Sequence, residues 1–167
     1  MEPRRFLLPL ELNPKRRAWL PHGSSYIRHL PHWRFEGATY FLTWRLHPLQ
    51  HALKSEESQV VFEALKHFDA VRYTLLAGVV MDDHVHAMVA GLRLSLERVV
   101  HSWKSFTSHA LVRGGRAAPV WQREYFDRVV RDGFDLEEKT RYIVGNPSRR
   151  WPEIREYAWV YVRGWGG

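Results

Sequence analysis

Hydrophobic residues along the chain follow two periodicities, one typical of strands and one typical of helices. Runs rich in aromatic and β-branched side chains predict four strands, over residues 38–46, 73–81, 84–90 and 120–130. Apolar residues that recur every three or four positions predict two helices, over residues 55–68 and 95–112. Asp135 is a suitable N-cap for a third, short helix over residues 135–142. The third helix is expected to stop before Pro147, because proline cannot continue the hydrogen bonding of a helix.

The order of these elements, β-α-β-β-α-β-α, predicts an α+β fold of the ferredoxin-like (RRM-like) type. Asp82 and Asp83 interrupt the apolar run, so the second and third strands are expected to form an antiparallel hairpin. The predicted architecture is a sandwich with an antiparallel sheet, helices on one face and a further helix at the C-terminal end. Three segments follow: an irregular basic arm over 1–34, one domain over 35–150 and a tail over 151–167.

The composition is that of a globular protein, with 45% hydrophobic and 26% charged residues. The absence of cysteine excludes disulfides and thiolate metal sites. No apolar run is long enough to span a membrane, and the N-terminal apolar stretch is too short for a secretory signal. We therefore expect a cytoplasmic protein without membrane contact.

The net charge of +7 favours an anionic partner, and its distribution is uneven. The arm holds seven Lys and Arg against two Asp and Glu, and residues 92–150 hold twelve against seven. In the arm, the candidates for phosphate contacts are Arg4, Arg5, Lys15, Arg16 and Arg17. In the second half, the candidates are Lys104, Arg113, Arg116, Arg123, Arg128 and Arg131.

Aromatic residues are interleaved with the basic residues of the second half, a combination suited to unpaired DNA. Arginines neutralise phosphates, while aromatic faces stack on exposed bases. For Trp121 and Phe126 we expect the simpler role of core packing. A solvated surface is the alternative for all the basic residues.

The sharpest chemical feature is His84-Val85-His86 on the third predicted strand. Residues i and i+2 of a strand point to the same face, so both imidazoles project together. Two neutral imidazoles can share one divalent cation, but a third ligand is then required. The alternative is a pair of surface histidines on a solvated strand face.

Tyr142 and Asn146 form a second pair, four residues apart on one face of the last predicted helix. A tyrosine can act as a covalent nucleophile, and an asparagine carbonyl is a hard ligand for Mg²⁺ or Mn²⁺. The alternatives are core packing for Tyr142 and a simple helix end at Asn146 before Pro147.

Five stretches of the chain, taken together and in order, resemble the REP-associated tyrosine transposases of the HUH single-stranded-DNA transposase and endonuclease superfamily. They are Tyr40–Trp44, Val79–His86, Trp103–Thr107, Val120–Asp127 and Tyr142–Pro147. Each stretch alone is a weak signal, but the ordered set is specific. It covers most of the chain, from about Leu30 to Trp151.

The resemblance implies a ferredoxin-like fold with a C-terminal catalytic helix, and cleavage of single-stranded DNA beside a short hairpin. His84 and His86 match the family's metal-binding motif, and Asn146 matches the third metal ligand. Tyr142 matches the nucleophile that forms a 5′-phosphotyrosine, because the family's tyrosine lies on the helix just before an Asn-Pro pair. Tyr125 is a rival nucleophile in a prominent motif. The implied cofactor is Mg²⁺ or Mn²⁺, and the implied state is a monomer or homodimer.

Two positions depart from the family's pattern. Asp82 stands where the family usually has proline, and Gly145 precedes the matched ligand Asn146. Asp82 and its neighbour Asp83 are expected to loosen the hairpin turn or to add negative charge near the metal, and Gly145 to weaken the helix end. Neither departure removes a catalytic group.

Two other functions fit parts of the sequence. A domesticated DNA-binding protein that no longer cuts would use the basic arm and the arginine-rich half equally well. A small metallohydrolase with a metal-bound water as nucleophile would need a further ligand near His84 and His86, and Asp83 is the candidate.

Overall fold

The computed structural model describes residues 6–7 and 37–164 of the chain. The described strands are β1 Phe6–Leu7, β2 Thr39–Arg45, β3 Thr74–Val80, β4 His84–Ala90, β5 Phe126–Val130, β6 Glu156–Tyr157 and β7 Val160–Val162. The described helices are α1 Ser55–His67, α2 Leu96–Arg113 and α3 Gly133–Arg150. No helix in this part of the chain is long and apolar enough to cross a membrane.

Five strands form one sheet in the order β5-β2-β4-β3-β7, and each neighbouring pair is antiparallel. The first four of these strands, with α1 and α2, have the chain order and strand order of a ferredoxin-like sandwich. The predicted fold class is therefore confirmed. The predicted fourth strand is shorter than expected, because only residues 126–130 pair with β2 along a continuous ladder.

Two short segments outside the predicted domain, residues 6–7 and 156–162, form strands. In the segment expected to be a tail, β7 pairs with β3 as an edge strand of the main sheet. In the arm, β1 pairs with β6 in a separate two-stranded sheet. The five arm residues predicted to contact phosphate, Arg4, Arg5, Lys15, Arg16 and Arg17, lie outside the described residues.

The sheet separates two hydrophobic cores, because successive strand residues point to opposite faces. On β4, Val85 and Ala87 belong to the larger core, which α1 and α2 cover. Met88 belongs to the smaller core, together with Ile143 and Val144 of α3. The prediction of helices on one face thus holds for α1 and α2, while α3 covers the other face.

The third helix is longer than the sequence predicted, and the expected stop before Pro147 is wrong. Pro147 lies inside α3, which continues to Arg150. The proline cannot donate the backbone hydrogen bond to the carbonyl of Ile143, but its own carbonyl accepts one from Trp151 N at 2.8 Å, at the end of the helix. Ile143 and Pro147 are buried, so packing on the sheet offsets the lost bond. Asn146 consequently lies within the helix and not at its end.

Candidate functional site

The two histidines of β4 lie on the sheet face that α3 covers. The ring centroids of His84 and His86 are 4.7 Å apart. The ring of His86 stacks on Phe41 of β2 at 5.4 Å and meets Tyr142 of α3 edge-on at 5.2 Å. Both imidazoles therefore project to the same face of the sheet, as the strand geometry predicted. The structure brings Tyr142 to the same place.

The two ring nitrogens of His86 have different surroundings. Nδ1 lies 2.7 Å from Oγ1 of Thr43, the residue opposite it on β2. Nε2 is buried and has no hydrogen-bond partner among the described residues. Burial, with the positive charge of Arg45 adding to it, holds the pKa of His86 well below its ordinary value. The imidazole is therefore neutral near pH 7, with a lone pair suited to a metal ion.

A carboxylate holds the ring of His84. Nδ1 of His84 lies 2.5 Å from Oδ1 of Asp83, while Oδ2 of Asp83 is 3.6 Å from Nη1 of Arg45. The hydrogen bond to His84, more than the nearby positive charges, lowers the pKa of Asp83. A carboxylate on one imidazole nitrogen leaves the other nitrogen, Nε2, to bind a ligand. Asp83 is thus engaged in orienting His84.

Tyr142 and Asn146 lie one helical turn apart on α3. Nδ2 of Asn146 donates to the carbonyl oxygen of Tyr142 at 2.9 Å, which leaves the amide oxygen Oδ1 as the side chain's acceptor. Among the described residues, no three His, Cys, Asp or Glu side chains come together as a metal site. A three-ligand site at His84 and His86 therefore needs an oxygen of another kind, and an amide oxygen is a suitable hard ligand.

Arg149 lies beside Tyr142 and was missed in the sequence. Its guanidinium carbon is 4.6 Å from the centroid of the Tyr142 ring, and Nη1 donates to the Tyr142 carbonyl at 3.2 Å. Burial lowers the pKa of Arg149. Arg149 could not be predicted as a neighbour of Tyr142, because the sequence predicted a helix that stops before Pro147 and therefore does not include Arg149.

Tyr125, the rival nucleophile, lies on the other side of the sheet. Its partly buried side chain packs against the larger core with α1 and α2, whereas His86 faces α3. The adjacent Phe126 is 49% exposed, so its expected place in the core is wrong. On β5 it pairs in register with Thr43 of β2, whose other cross-strand neighbour is His86, so Phe126 is separated from the histidine strand by β2. Trp121 is buried as expected.

Four of the basic residues predicted to contact phosphate in the second half of the chain are exposed or partly exposed. Arg113 is exposed at the end of α2, and Arg123 is exposed before β5. Arg128 and Arg131 lie 3.8 and 3.9 Å from the buried carboxylate of Asp135, respectively. Arg128 stands opposite Phe41 on the sheet, and it is therefore the one of the four that lies beside the histidine site.

Two other predicted phosphate contacts do not fit the structure. Arg116 is buried, and its guanidinium donates to the Glu57 carboxylate, the Gln50 amide and the backbone carbonyls of His51 and Ala52. Nζ of Lys104 donates to the carbonyl oxygens of Gln122 and Arg123 at 2.7 and 2.8 Å. These cations hold loops in place, so they are poorly placed to neutralise DNA.

Replacing Arg116 with alanine is expected to lower the free energy of unfolding by about 3 kcal/mol, because the change leaves buried acceptors and Glu57 without their donor. The hydrogen bond from Arg116 is also the main cause of the lowered pKa of Glu57. Urea unfolding measures the loss. The exposed Arg113→Ala variant is the control, with an expected change within about 0.5 kcal/mol. Equal losses in both variants would contradict the structural role.

Asp82, the residue that departs from the family's proline, turns towards the end of α3. Its Oδ2 accepts a hydrogen bond from Nη2 of Arg150 at 3.0 Å. The ion pair links the β3–β4 turn to the last turn of the helix. The turn itself closes normally, since Met81 N donates to His84 O at 2.8 Å, and the expected loosening of the hairpin is not seen.

Comparisons with known proteins agree with this fold. The family model described as "Transposase IS200 like" matches residues 37–146, about two thirds of the chain. A solved REP-associated tyrosine transposase bound to a REP hairpin has a similar fold, with a TM-score of 0.64 and 20% identity over 75% of each chain. A putative transposase from Deinococcus radiodurans R1 gives a TM-score of 0.50 and 16% identity, over 72% of this chain and 93% of that one. Among curated proteins, none matches. The matched residues include both histidines, Tyr142 and Asn146, and the chain belongs to the IS200-like transposase family.

Proposed function

We propose that this chain cuts and rejoins single-stranded DNA beside a short hairpin, through a 5′-phosphotyrosine on Tyr142, with Mg²⁺ or Mn²⁺ bound by His84, His86 and Asn146. One observation carries the proposal. The neutral imidazole of His86 has a buried nitrogen, Nε2, without a hydrogen-bond partner among the described residues. The centroid of the same ring lies 5.2 Å from the centroid of the Tyr142 ring. Such a pairing of ligand and nucleophile has no evident structural purpose.

The donor set fits a hard divalent cation. His84 and His86 offer one ring nitrogen each, because Asp83 and Thr43 occupy the neighbourhood of the other nitrogens. Asn146 would add its amide oxygen from α3. A cation held there would place positive charge against a non-bridging oxygen of the scissile phosphate. Asp83 is engaged with His84, so the metallohydrolase hypothesis lacks its candidate ligand.

The chemistry at Tyr142 is an exchange of one phosphodiester for another. The phenolic oxygen forms a bond to phosphorus, and the bond between phosphorus and the 3′ oxygen of the DNA breaks. The proton that Tyr142 loses is balanced by the proton that the departing 3′ oxygen takes up. The energy of the phosphodiester is kept in the phosphotyrosine, so a later 3′-OH can attack it and join strands.

Charged and aromatic side chains around Tyr142 support an unpaired strand as the substrate. The guanidinium of Arg149 lies over the phenol ring, where it can steady both a phenolate and an incoming phosphate. Phe126 offers an exposed aromatic face on the edge strand β5, one strand beyond β2, and Arg128 follows it on the same face. The proposal that the substrate strand contains a hairpin is supported by the solved REP-associated transposase, which is bound to a REP hairpin.

A cleavage assay tests the function. A hairpin oligonucleotide with unpaired flanks, selected by binding from a pool with randomised stems, is labelled at each end and incubated with the protein and Mn²⁺. We expect a free 3′-OH fragment and a covalent adduct, and peptide mass spectrometry should find the nucleotide on Tyr142. EDTA should abolish both products. Binding that survives without any cleavage in Mn²⁺ would favour the non-cutting DNA-binding protein instead.

The basic arm gives a separate prediction about the hairpin stem. Changing Arg4, Arg5, Lys15, Arg16 and Arg17 together to glutamine keeps Phe6 and Leu7, which pair with β6. If these residues neutralise phosphates, affinity at 0.1 M salt should fall about 10- to 100-fold. The slope of log K against log salt should flatten by up to about four units. Fluorescence anisotropy at several salt concentrations measures both. Arg93→Gln with Arg98→Gln serves as the control, and unchanged slopes in both proteins would leave the arm a solvated surface.

A further inference from the structure

Arg45, the last residue of β2, lies beside the two histidines and has no role in the mechanism proposed above. It pairs in register with His84 of β4. Thr43, two residues earlier on β2, meets the imidazole of His86 through its hydroxyl, and side chains two residues apart on a strand share a face. Arg45 therefore projects to the face of the sheet on which both histidines and Tyr142 lie.

The guanidinium of Arg45 is loosely held and open to solvent. Its Nη1 lies 3.6 Å from Oδ2 of Asp83, which is an ionic contact but too long for a hydrogen bond. The side chain of Arg45 is 49% exposed. A guanidinium has five N–H donors arranged in a planar fork, so donors remain for an acceptor that arrives from solvent.

The charged side chains around the site do not balance. Asp83 faces Arg45 with one oxygen and an imidazole with the other, so its charge is shared between them. Asp82, the neighbouring carboxylate, is paired with Arg150 of α3 at 3.0 Å. Arg149 lies over the phenol ring of the same site. These three arginines and two carboxylates leave a surplus of positive charge before any cation binds, and the surplus favours an anionic group of the substrate.

The two arginines with unpaired donors belong to different elements. Arg149 approaches from α3, where its guanidinium carbon is 4.6 Å from the centroid of the Tyr142 ring. Arg45 approaches from β2, across from His84. A phosphodiester between His84 and Tyr142 has two non-bridging oxygens, and the proposed function assigns only one of them to the cation. The fork of a guanidinium is the side-chain group best suited to the other oxygen.

We propose that Arg45 is a further catalytic residue, and that its guanidinium donates to a non-bridging oxygen of the scissile phosphate from the β2 side of the site. The proposal rests on the proposed function, since it assumes that the strand passes between the histidines and Tyr142. Negative charge is spread over the non-bridging oxygens during phosphoryl transfer, and a donor already in place stabilises it. Asp83 then has two tasks, because it orients His84 and keeps the guanidinium of Arg45 beside it.

Methylphosphonate scanning in EDTA tests this contact without depending on cleavage. A methylphosphonate replaces a charged non-bridging oxygen with a methyl group, and it is moved one position at a time along the unpaired flank of the selected hairpin. Wild-type protein should bind one position about tenfold more weakly than the unmodified strand. In Arg45→Ala the same position should cost less than about twofold. The control is Arg98→Ala, an exposed arginine on α2, which should keep the full penalty.

Cleavage and metal binding provide a second readout. At saturating Mn²⁺, Arg45→Ala should cut at least about 100-fold more slowly, and Arg45→Lys, which keeps the charge without the fork, about tenfold more slowly. Calorimetric affinity for Mn²⁺ should not fall in either variant, because Arg45 is not a metal ligand. Added guanidinium ion, below denaturing concentrations, should restore part of the cleavage in Arg45→Ala. Thermal melting verifies that the variants fold.

Two results would overturn the role of Arg45. One is a methylphosphonate penalty that is the same in Arg45→Ala and in the wild type at every position. The other is a Mn²⁺ affinity that falls as steeply as cleavage, since Arg45 would then act only by supporting His84 through Asp83. Cleavage with an unchanged penalty refutes the role of Arg45 alone, whereas a penalty that depends on Arg45 in a protein that does not cut refutes only the chemistry proposed for Tyr142.

Discussion

Phenylalanine in place of Tyr142 should slow DNA cleavage at least about 10³-fold and eliminate the covalent protein–DNA adduct. The variant removes one oxygen atom and keeps the ring. The edge-on contacts with His86 and Phe41 and the guanidinium of Arg149 over the ring should therefore remain. Denaturing gels with labelled hairpin oligonucleotides measure both quantities. Affinity for the hairpin should change less than threefold, since the phenol acts on the phosphorus and contributes little to binding the stem.

Tyr125→Phe is the matched control for this prediction. Tyr125 is the other tyrosine that the sequence offers as a nucleophile, yet it packs against the core on the opposite side of the sheet from His86. Its replacement should leave the adduct intact and lower cleavage no more than about twofold, apart from any effect on stability. A persistent adduct in Tyr142→Phe, or its loss in Tyr125→Phe, would reverse the assignment.

The periodicity of the sequence was sufficient for most of the fold. Alternation on β4 separates Val85 from His84 and His86, and the same alternation in the structure directs Val85 into the larger core. The shared face of the two histidines follows from strand geometry alone. The edge strand β7 was missed because it has three residues, too short a run for a period of two to be visible.

Contacts that depend on strand register could not be predicted from the sequence. Thr43 meets His86 because β2 and β4 pair with these residues opposite each other, 43 positions apart in the chain. Nothing local in the sequence marks Thr43 as a partner of a histidine. Likewise, the expectation for Phe126 failed because aromatic residues are usually buried, whereas β5 is an edge strand with that position left open.

The helix after Tyr142 shows where a local rule misled. Proline ends most helices, so the sequence predicted a stop before Pro147, but burial of the helix against the sheet holds its last turn together. That turn carries Arg149 to Tyr142 and Arg150 to Asp82. The site therefore has a positive side and an anchored turn that could not be inferred from a helix that stops before Pro147.

The second large effect is expected at His86, measured by metal binding as well as by activity. His86→Ala should weaken Mn²⁺ binding at least about 100-fold by calorimetry, and cleavage should fall by a similar factor at limiting Mn²⁺. Thr43→Val keeps the imidazole but removes the hydroxyl 2.7 Å from its Nδ1, so a smaller loss of about tenfold is expected. Excess Mn²⁺ should partly restore activity in Thr43→Val.

The graded loss separates a metal ligand from a residue that only supports the fold. His101→Ala, an exposed histidine on α2, should bind Mn²⁺ like the wild type. If His86 mattered only for packing, Thr43→Val and His86→Ala would lower the melting temperature and leave the affinity of the folded protein for Mn²⁺ unchanged. His86 is the one histidine in the described part of the chain with a buried ring nitrogen that lacks a hydrogen-bond partner. Unchanged Mn²⁺ affinity in His86→Ala would therefore contradict the proposed role of His86 as a metal ligand.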